Sequence, residues 1–149
     1  MIAARLPEHQ WPVRQLQVIA VDADAGHRRV FDRTMGVPLI DAVAASSAVA
    51  GIFPPVIIDG RPYIDGGFYS IDNADLAVGC DRVLVVTLRS RVPPMCAFPL
   101  DGALQTLRES GAHVEIVHPD EASEEVFNSV GGNILDPAVR EPAARTGRE

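Results

Sequence analysis

Ala44-Ala45-Ser46-Ser47-Ala48-Val49, Gly51-Ile52-Phe53-Pro54-Pro55-Val56, Tyr63-Ile64-Asp65-Gly66-Gly67, Asn73-Ala74-Asp75-Leu76-Ala77 and Val83-Leu84-Val85-Val86-Thr87-Leu88 follow one another along residues 42–88. The alanine-rich run from Pro38 to Val49 spaces its apolar residues by three and four, which predicts a buried helix. Val56 to Ile58 and Pro62 to Ile64 read as short strands around an Asp59-Gly60 turn, a dipeptide suited to left-handed backbone. Asn73 to Val78 predicts a helical turn. Arg82 to Leu88 is apolar without alternation, the pattern of a fully buried, parallel strand.

Outward from this run, Gln15 to Ala23 predicts a strand. Asp24-Ala25-Gly26 is turn chemistry, and Arg28 to Asp32 is the returning strand of a hairpin. On the other side Arg91 to Pro99 is a loop with Pro93, Pro94 and Pro99. Asp101 then caps a helix with Leu104 and Leu107 on one face, ended by Gly111. His113 to Val117 predicts a strand, and Asp120 caps an acidic helix from Glu121 to Phe127. Asp136-Pro137 opens a final helix, a cap followed by proline at the first position. Strand and helix alternate in the later half, so the expected class is α/β with a mainly parallel sheet flanked by helices.

Taken together, the alanine-serine helix, Phe53-Pro54-Pro55 and Asp65-Gly66-Gly67 at this spacing resemble the patatin-like phospholipase family. There an Ala-Ser-x-Ala-x-Pro-x-x-Phe-Pro-Pro segment precedes a strand ending in Asp-Gly-Gly or Asp-Gly-Ala. Asp-Gly-Gly carries little by itself; the ordered set is specific. The resemblance is strongest over residues 39–88 and looser at Trp11-Pro12 to Phe31 and Gly111 to Leu135. Ala50 departs from it, standing where the family has proline. The resemblance implies a three-layer α/β fold, of which residues 1–149 would be the carboxy-terminal part. It implies a lipid or other acyl-ester substrate, no cofactor and no metal, and a Ser-Asp dyad in place of a triad. Asp65 takes the place of the general base, with Gly66 and Gly67 completing its motif. A carboxylate is a weak base toward a serine hydroxyl, so it needs close contact and a dry site. Two glycines after the strand allow a sharp turn and leave room for the serine.

The other half of the dyad has no counterpart. No G-x-S-x-G occurs in the sequence, and no glycine-rich oxyanion loop. Ser46 has alanines, Ala44 and Ala48, at both positions where the motif has glycine, Ser47 is followed by Ala48-Val49, and both serines read as packing residues of a helix. The expectation is therefore a chain with the base but without the nucleophile, inactive alone and short of the family's amino-terminal half. The competing reading is a non-catalytic interaction or structural remnant that packs against a partner chain or itself. A nucleotide-binding α/β domain is disfavoured: no G-x-G-x-x-G precedes Asp22, and no lysine follows Gly131-Gly132-Asn133.

Composition removes further classes. The formal net charge of −7 opposes nucleic-acid binding and strong docking on anionic lipid. The absence of lysine excludes a Walker lysine, a Schiff base and a lysine general base. Cys80 and Cys96 make no disulfide framework and no metal spacing with histidine, so a reducing cytoplasm is the expected compartment, with peripheral membrane contact as an open alternative. Asp22-x-Asp24-x-Gly26 lacks most of a calcium loop and reads as a hairpin turn. His9, His27, His113 and His118 are scattered surface or strand-end residues. Tyr63 and Phe68 flank Asp65, as acyl-pocket walls or as ordinary core. The uncharged stretch from Ala42 to Ile58 is shorter than the roughly 20 residues that span a bilayer.

Overall fold

The computed structural model describes residues 2–87, 98–129 and 136–147. Leu88, most of the Arg91 to Pro99 loop, Cys96 and Gly131-Gly132-Asn133 lie outside the described residues.

Two hairpins build the first sheet. β1 (Val18–Asp22) pairs antiparallel with β2 (Arg28–Phe31), Val18 opposite Phe31. Asp22 closes the turn between them. Its Oδ1 accepts the Asp24 and Ala25 amides at 3.1 and 3.0 Å, and its Oδ2 accepts Arg61 Nη1 at 3.2 Å. These bonds, led by the Ala25 amide, hold the Asp22 carboxyl below the ordinary aspartate range, and they account for Asp22 and Asp24 as turn residues. β3 (Val56–Ile58) and β4 (Arg61–Asp65) form the second hairpin. Its two turn residues, Asp59 and Gly60, have φ of 49° and 76°, which is the backbone of a type I′ turn. Gly60→Ala should therefore cost about 1 kcal/mol, since a Cβ is disfavoured in left-handed backbone even where space is open. An unchanged urea midpoint would contradict this.

The hairpins join where β4 lies antiparallel to β1, giving the order β2-β1-β4-β3. α1 (Leu39–Ser46) packs across this sheet. Its buried residues Leu39, Ala42 and Ala45 recur every three positions, and the two alanines let the helix sit close. They meet Val18, Ala20, Phe31, Ile58 and Tyr63. Phe31 is fully buried and stands edge-on to Tyr63, ring centroids 5.3 Å apart. Tyr63 thus belongs to the core and not to a pocket wall.

A second, two-stranded sheet pairs β5 (Arg82–Val86) parallel with β6 (His113–Val117). α2 (Leu100–Glu109) makes the crossover and buries Leu104 and Leu107 against Val85 and its neighbours. α3 (Glu121–Asn128) and α4 (Arg140–Thr146) follow. Asp120 accepts the Ser123 amide at 2.8 Å, and Asp136 accepts the Ala138 amide at 2.9 Å ahead of a 3₁₀ turn leading into α4.

Three expectations need correction. The fold is mixed α/β, but among the described residues the larger sheet is antiparallel and only β5–β6 is parallel. The connections β1–β2 and β3–β4 are too short for anything but hairpins, and only the passage through α2 is long enough to reverse direction twice. β5 is not fully buried: Leu84 and Val86 are 61% and 73% exposed, because α2 covers only the face bearing Val83 and Val85. Asp101 lies in the first turn of α2, and Pro99 occupies the cap.

Candidate active site around Asp65

Asp65 is the last residue of β4. It pairs with Ala20 of β1, and its amide donates to Ala48 O at 3.0 Å, just past α1. Strand, neighbouring strand and helix end therefore all fix its backbone. The chain then turns sharply through a 3₁₀ turn, Gly66–Phe68. Gly66 is buried against β1: a Cβ there would stand 2.5 Å from Ile19 O and 2.9 Å from its carbonyl carbon. Gly67 donates its amide to Asp65 Oδ1 at 2.7 Å. The two glycines thus serve different ends, the first a close strand approach and the second a direct hold on the carboxylate.

The Asp65 side chain is half-buried and lines an open hollow of about 380 Å³ with Gln17, Ser46, Gly67, Asp72 and Asn73. β4 stops pairing with β1 at Ala20, so Gln17, Val18 and Ile19 form one wall. Burial pushes the Asp65 carboxyl above the ordinary aspartate range, and the Gly67 amide works against that shift. A carboxylate made more basic by desolvation, with one oxygen held, is suited to accept a proton. Ser46 reaches this hollow from the last turn of α1; Ser47 is exposed and does not line it. The reading of both as packing residues therefore fails for Ser47 and needs the hollow added for Ser46.

Two residues with no functional role expected from the sequence, Asn73 and Arg28, shape the loop after Asp65. Asn73 adopts φ 46°. Its Nδ2 donates to Ser70 O at 2.5 Å and to Gly66 O at 3.4 Å, and its amide donates to Ser70 Oγ at 3.1 Å. Arg28 reaches across from β2 and grips Asp75 with two bonds of 2.7 Å. The hydrogen bonds from Arg28 hold Asp75 below the ordinary aspartate range. Asn73 and Asp75 stood in the quoted run, but Arg28 is 45 and 47 positions away from them, and no local pattern links such residues.

Among the described residues no group of three or more His, Cys, Asp or Glu could hold a metal ion, and no helix is long and apolar enough to cross a membrane. The four histidines are all exposed, as is Cys80.

A family profile described as patatin-like phospholipase matches residues 4–78, half of the chain. The match covers β1 through the 3₁₀ turn after Asn73, including Asp65 and α1. It falls on the amino-terminal part of this chain and takes in the flank before residue 39, so the expectation of a carboxy-terminal half only is not borne out. No curated protein matches the chain.

Proposed function

The chain belongs to the patatin-like phospholipase family, and from that premise we propose that it carries the base side of a lipid acyl-ester hydrolase. Asp65 is the general base of a Ser-Asp dyad, and Gly66 and Gly67 form the turn that presents it. The observation carrying this reading is the half-buried Asp65 carboxylate, held by Gly67 at 2.7 Å and opening onto a hollow at the end of β4.

The base would take the proton of a serine hydroxyl as the serine attacks the ester carbonyl. It would return that proton to the leaving alcohol, and the same cycle with water would release the acid. The sequence holds no G-x-S-x-G, so in this reading the serine and the oxyanion donors come from a polypeptide segment outside these 149 residues. The 149-residue chain by itself is then expected to hydrolyse a short-chain nitrophenyl ester no faster than buffer. Turnover should appear when a segment bearing the G-x-S-x-G elbow is fused or co-expressed. Robust hydrolysis by the chain alone, lost in Ser46→Ala, would mean that the nucleophile had been misplaced.

A second reading, packing against a partner or a second copy, is favoured by the bare face of the smaller sheet. Leu84, Val86 and Val117 are 61%, 73% and 52% exposed there, and apolar sheet surface of this kind promotes association. Light scattering after size exclusion at micromolar concentration should show a mass above 16.0 kDa. A sharp monomer peak with cooperative thermal unfolding would remove this reading.

A further inference from the structure

We infer that Arg28 is the positioning residue for Asp65, acting through a clamp on the loop from Gly66 to Asp75. The inference rests on the reading of Asp65 as the base. It adds what holds that base in place, from an element that carries no part of the Asp-Gly-Gly motif.

Three contacts converge on Arg28. Nη1 and Nη2 bond Asp75 Oδ1 and Oδ2, each at 2.7 Å, a bidentate fork that fixes direction as well as distance. Nη1 also donates to Asn73 Oδ1 at 3.4 Å. The guanidinium lies over the Tyr69 ring, 4.6 Å from its centroid, and that ring stacks on Phe98 at 4.7 Å. The Arg28 side chain is 17% exposed and that of Asp75 39%, so the pair is screened from solvent mainly on the arginine side. Lysine could replace the charge but neither the fork nor the flat stack.

The clamp reaches Asp65 through two short relays. Asn73, which Arg28 meets at 3.4 Å at one end of its amide, donates from the other to Ser70 O at 2.5 Å and to Gly66 O at 3.4 Å. Gly66 O also accepts the Tyr69 and Ser70 amides at 3.0 and 3.3 Å. The loop is thus a closed set of bonds around the carbonyl next to Asp65, tied to β2 from outside. The residue whose orientation this ring sets most directly is Gly67, whose amide holds Asp65 Oδ1. Asp72 is the other titratable group lining the hollow, and Arg28 and Asp75 do not line it.

Hydrogen–deuterium exchange by mass spectrometry on the 149-residue chain tests this, because it reads individual segments whatever the assembly state. In Arg28→Lys and Asp75→Asn, the peptide covering residues 66–73 should exchange at least tenfold faster than in the parent. Peptides covering α1 and β3–β4 should stay within twofold. The second readout, from amide exchange resolved at Gly67 by NMR and corrected for the pH dependence of intrinsic exchange, is the pH at which Gly67 protection is lost, which follows protonation of the carboxylate it donates to. It should fall toward the ordinary aspartate value in both variants, because a loosened loop admits water to Asp65. The swapped pair Arg28→Asp with Asp75→Arg should recover part of the protection. Unchanged exchange in 66–73, or faster exchange with the Gly67 midpoint where it was, would overturn the positioning role and leave an ordinary ion pair. Neither result depends on turnover. An Asp65→Asn variant that stays fully active in the complemented enzyme would instead sink the base reading while leaving the clamp standing.

Discussion

Asp65→Asn is expected to lower turnover of the complemented hydrolase by about 10²–10⁴-fold, the range that a positioned general base supplies, with KM nearly unchanged. The substitution keeps size and planarity and removes only the ability to take the proton. The loss therefore falls on the chemical step and not on binding. The raised pKa of Asp65, caused by burial, gives the prediction a sign in pH. Turnover needs the ionised carboxylate, so the parent's rate should rise with pH through a value above the ordinary aspartate range, and the variant should lack that limb. Stability runs the other way. A carboxyl whose pKa is raised on folding binds more protons folded than unfolded, so its contribution worsens as pH climbs from the ordinary value through the raised one. Asp65→Asn should then be no less stable than the parent at pH 7 and should lose that part of the pH dependence. Full turnover in a variant with an intact fold by circular dichroism would refute the base role; a collapsed fold would show that the carboxylate is a structural acceptor first.

The sequence carried the local structure better than the assembly, for a physical reason. Asp59-Gly60 and Asp24-Ala25-Gly26 announce their turns because few residues tolerate those backbones, and both hairpins stand where expected. β6 matches its expected span from His113 to Val117. The relation among strands was less legible. An apolar run such as Val83 to Thr87 implies burial on both faces, yet whether anything covers the second face depends on distant chain, and here Leu84 and Val86 are bare. The candidate site divided in the same way. Asp65, Gly66 and Gly67 form one contiguous motif, and all three meet at one turn. Arg28 sits in a strand with nothing to mark it, and its role exists only once β2 has folded beside the loop that bears Asp75.

The two glycines should separate fold from function. Gly66→Ala places a methyl 2.5 Å from Ile19 O and 2.9 Å from its carbonyl carbon, and both belong to the backbone of a paired central strand, so neither can swing aside. Relief requires β4 to part from β1, the seam joining the two hairpins, and the cost should reach the upper end of overpacking, about 3 kcal/mol. Gly67→Ala meets only the Asp65 side chain, its Oδ1 at 2.9 Å, the far end of a side chain that can rotate. Its fold should survive within about 1 kcal/mol, whereas the carboxylate is pushed off the Gly67 amide and out of line with the hollow. Urea denaturation followed by Trp11 fluorescence suits the comparison. Trp11 is the chain's single tryptophan, packs on the core that β1 and α1 share, and donates to Val37 O at 2.7 Å. Gly66→Ala should shift the midpoint strongly or leave no transition at all. Gly67→Ala should keep the midpoint near the parent's and, in the complemented enzyme, lose turnover nearly as far as Asp65→Asn. Equal stability losses in both variants would mean that the second glycine also serves strand packing. A Gly67→Ala enzyme with full turnover would mean that the amide at 2.7 Å does not aim the base.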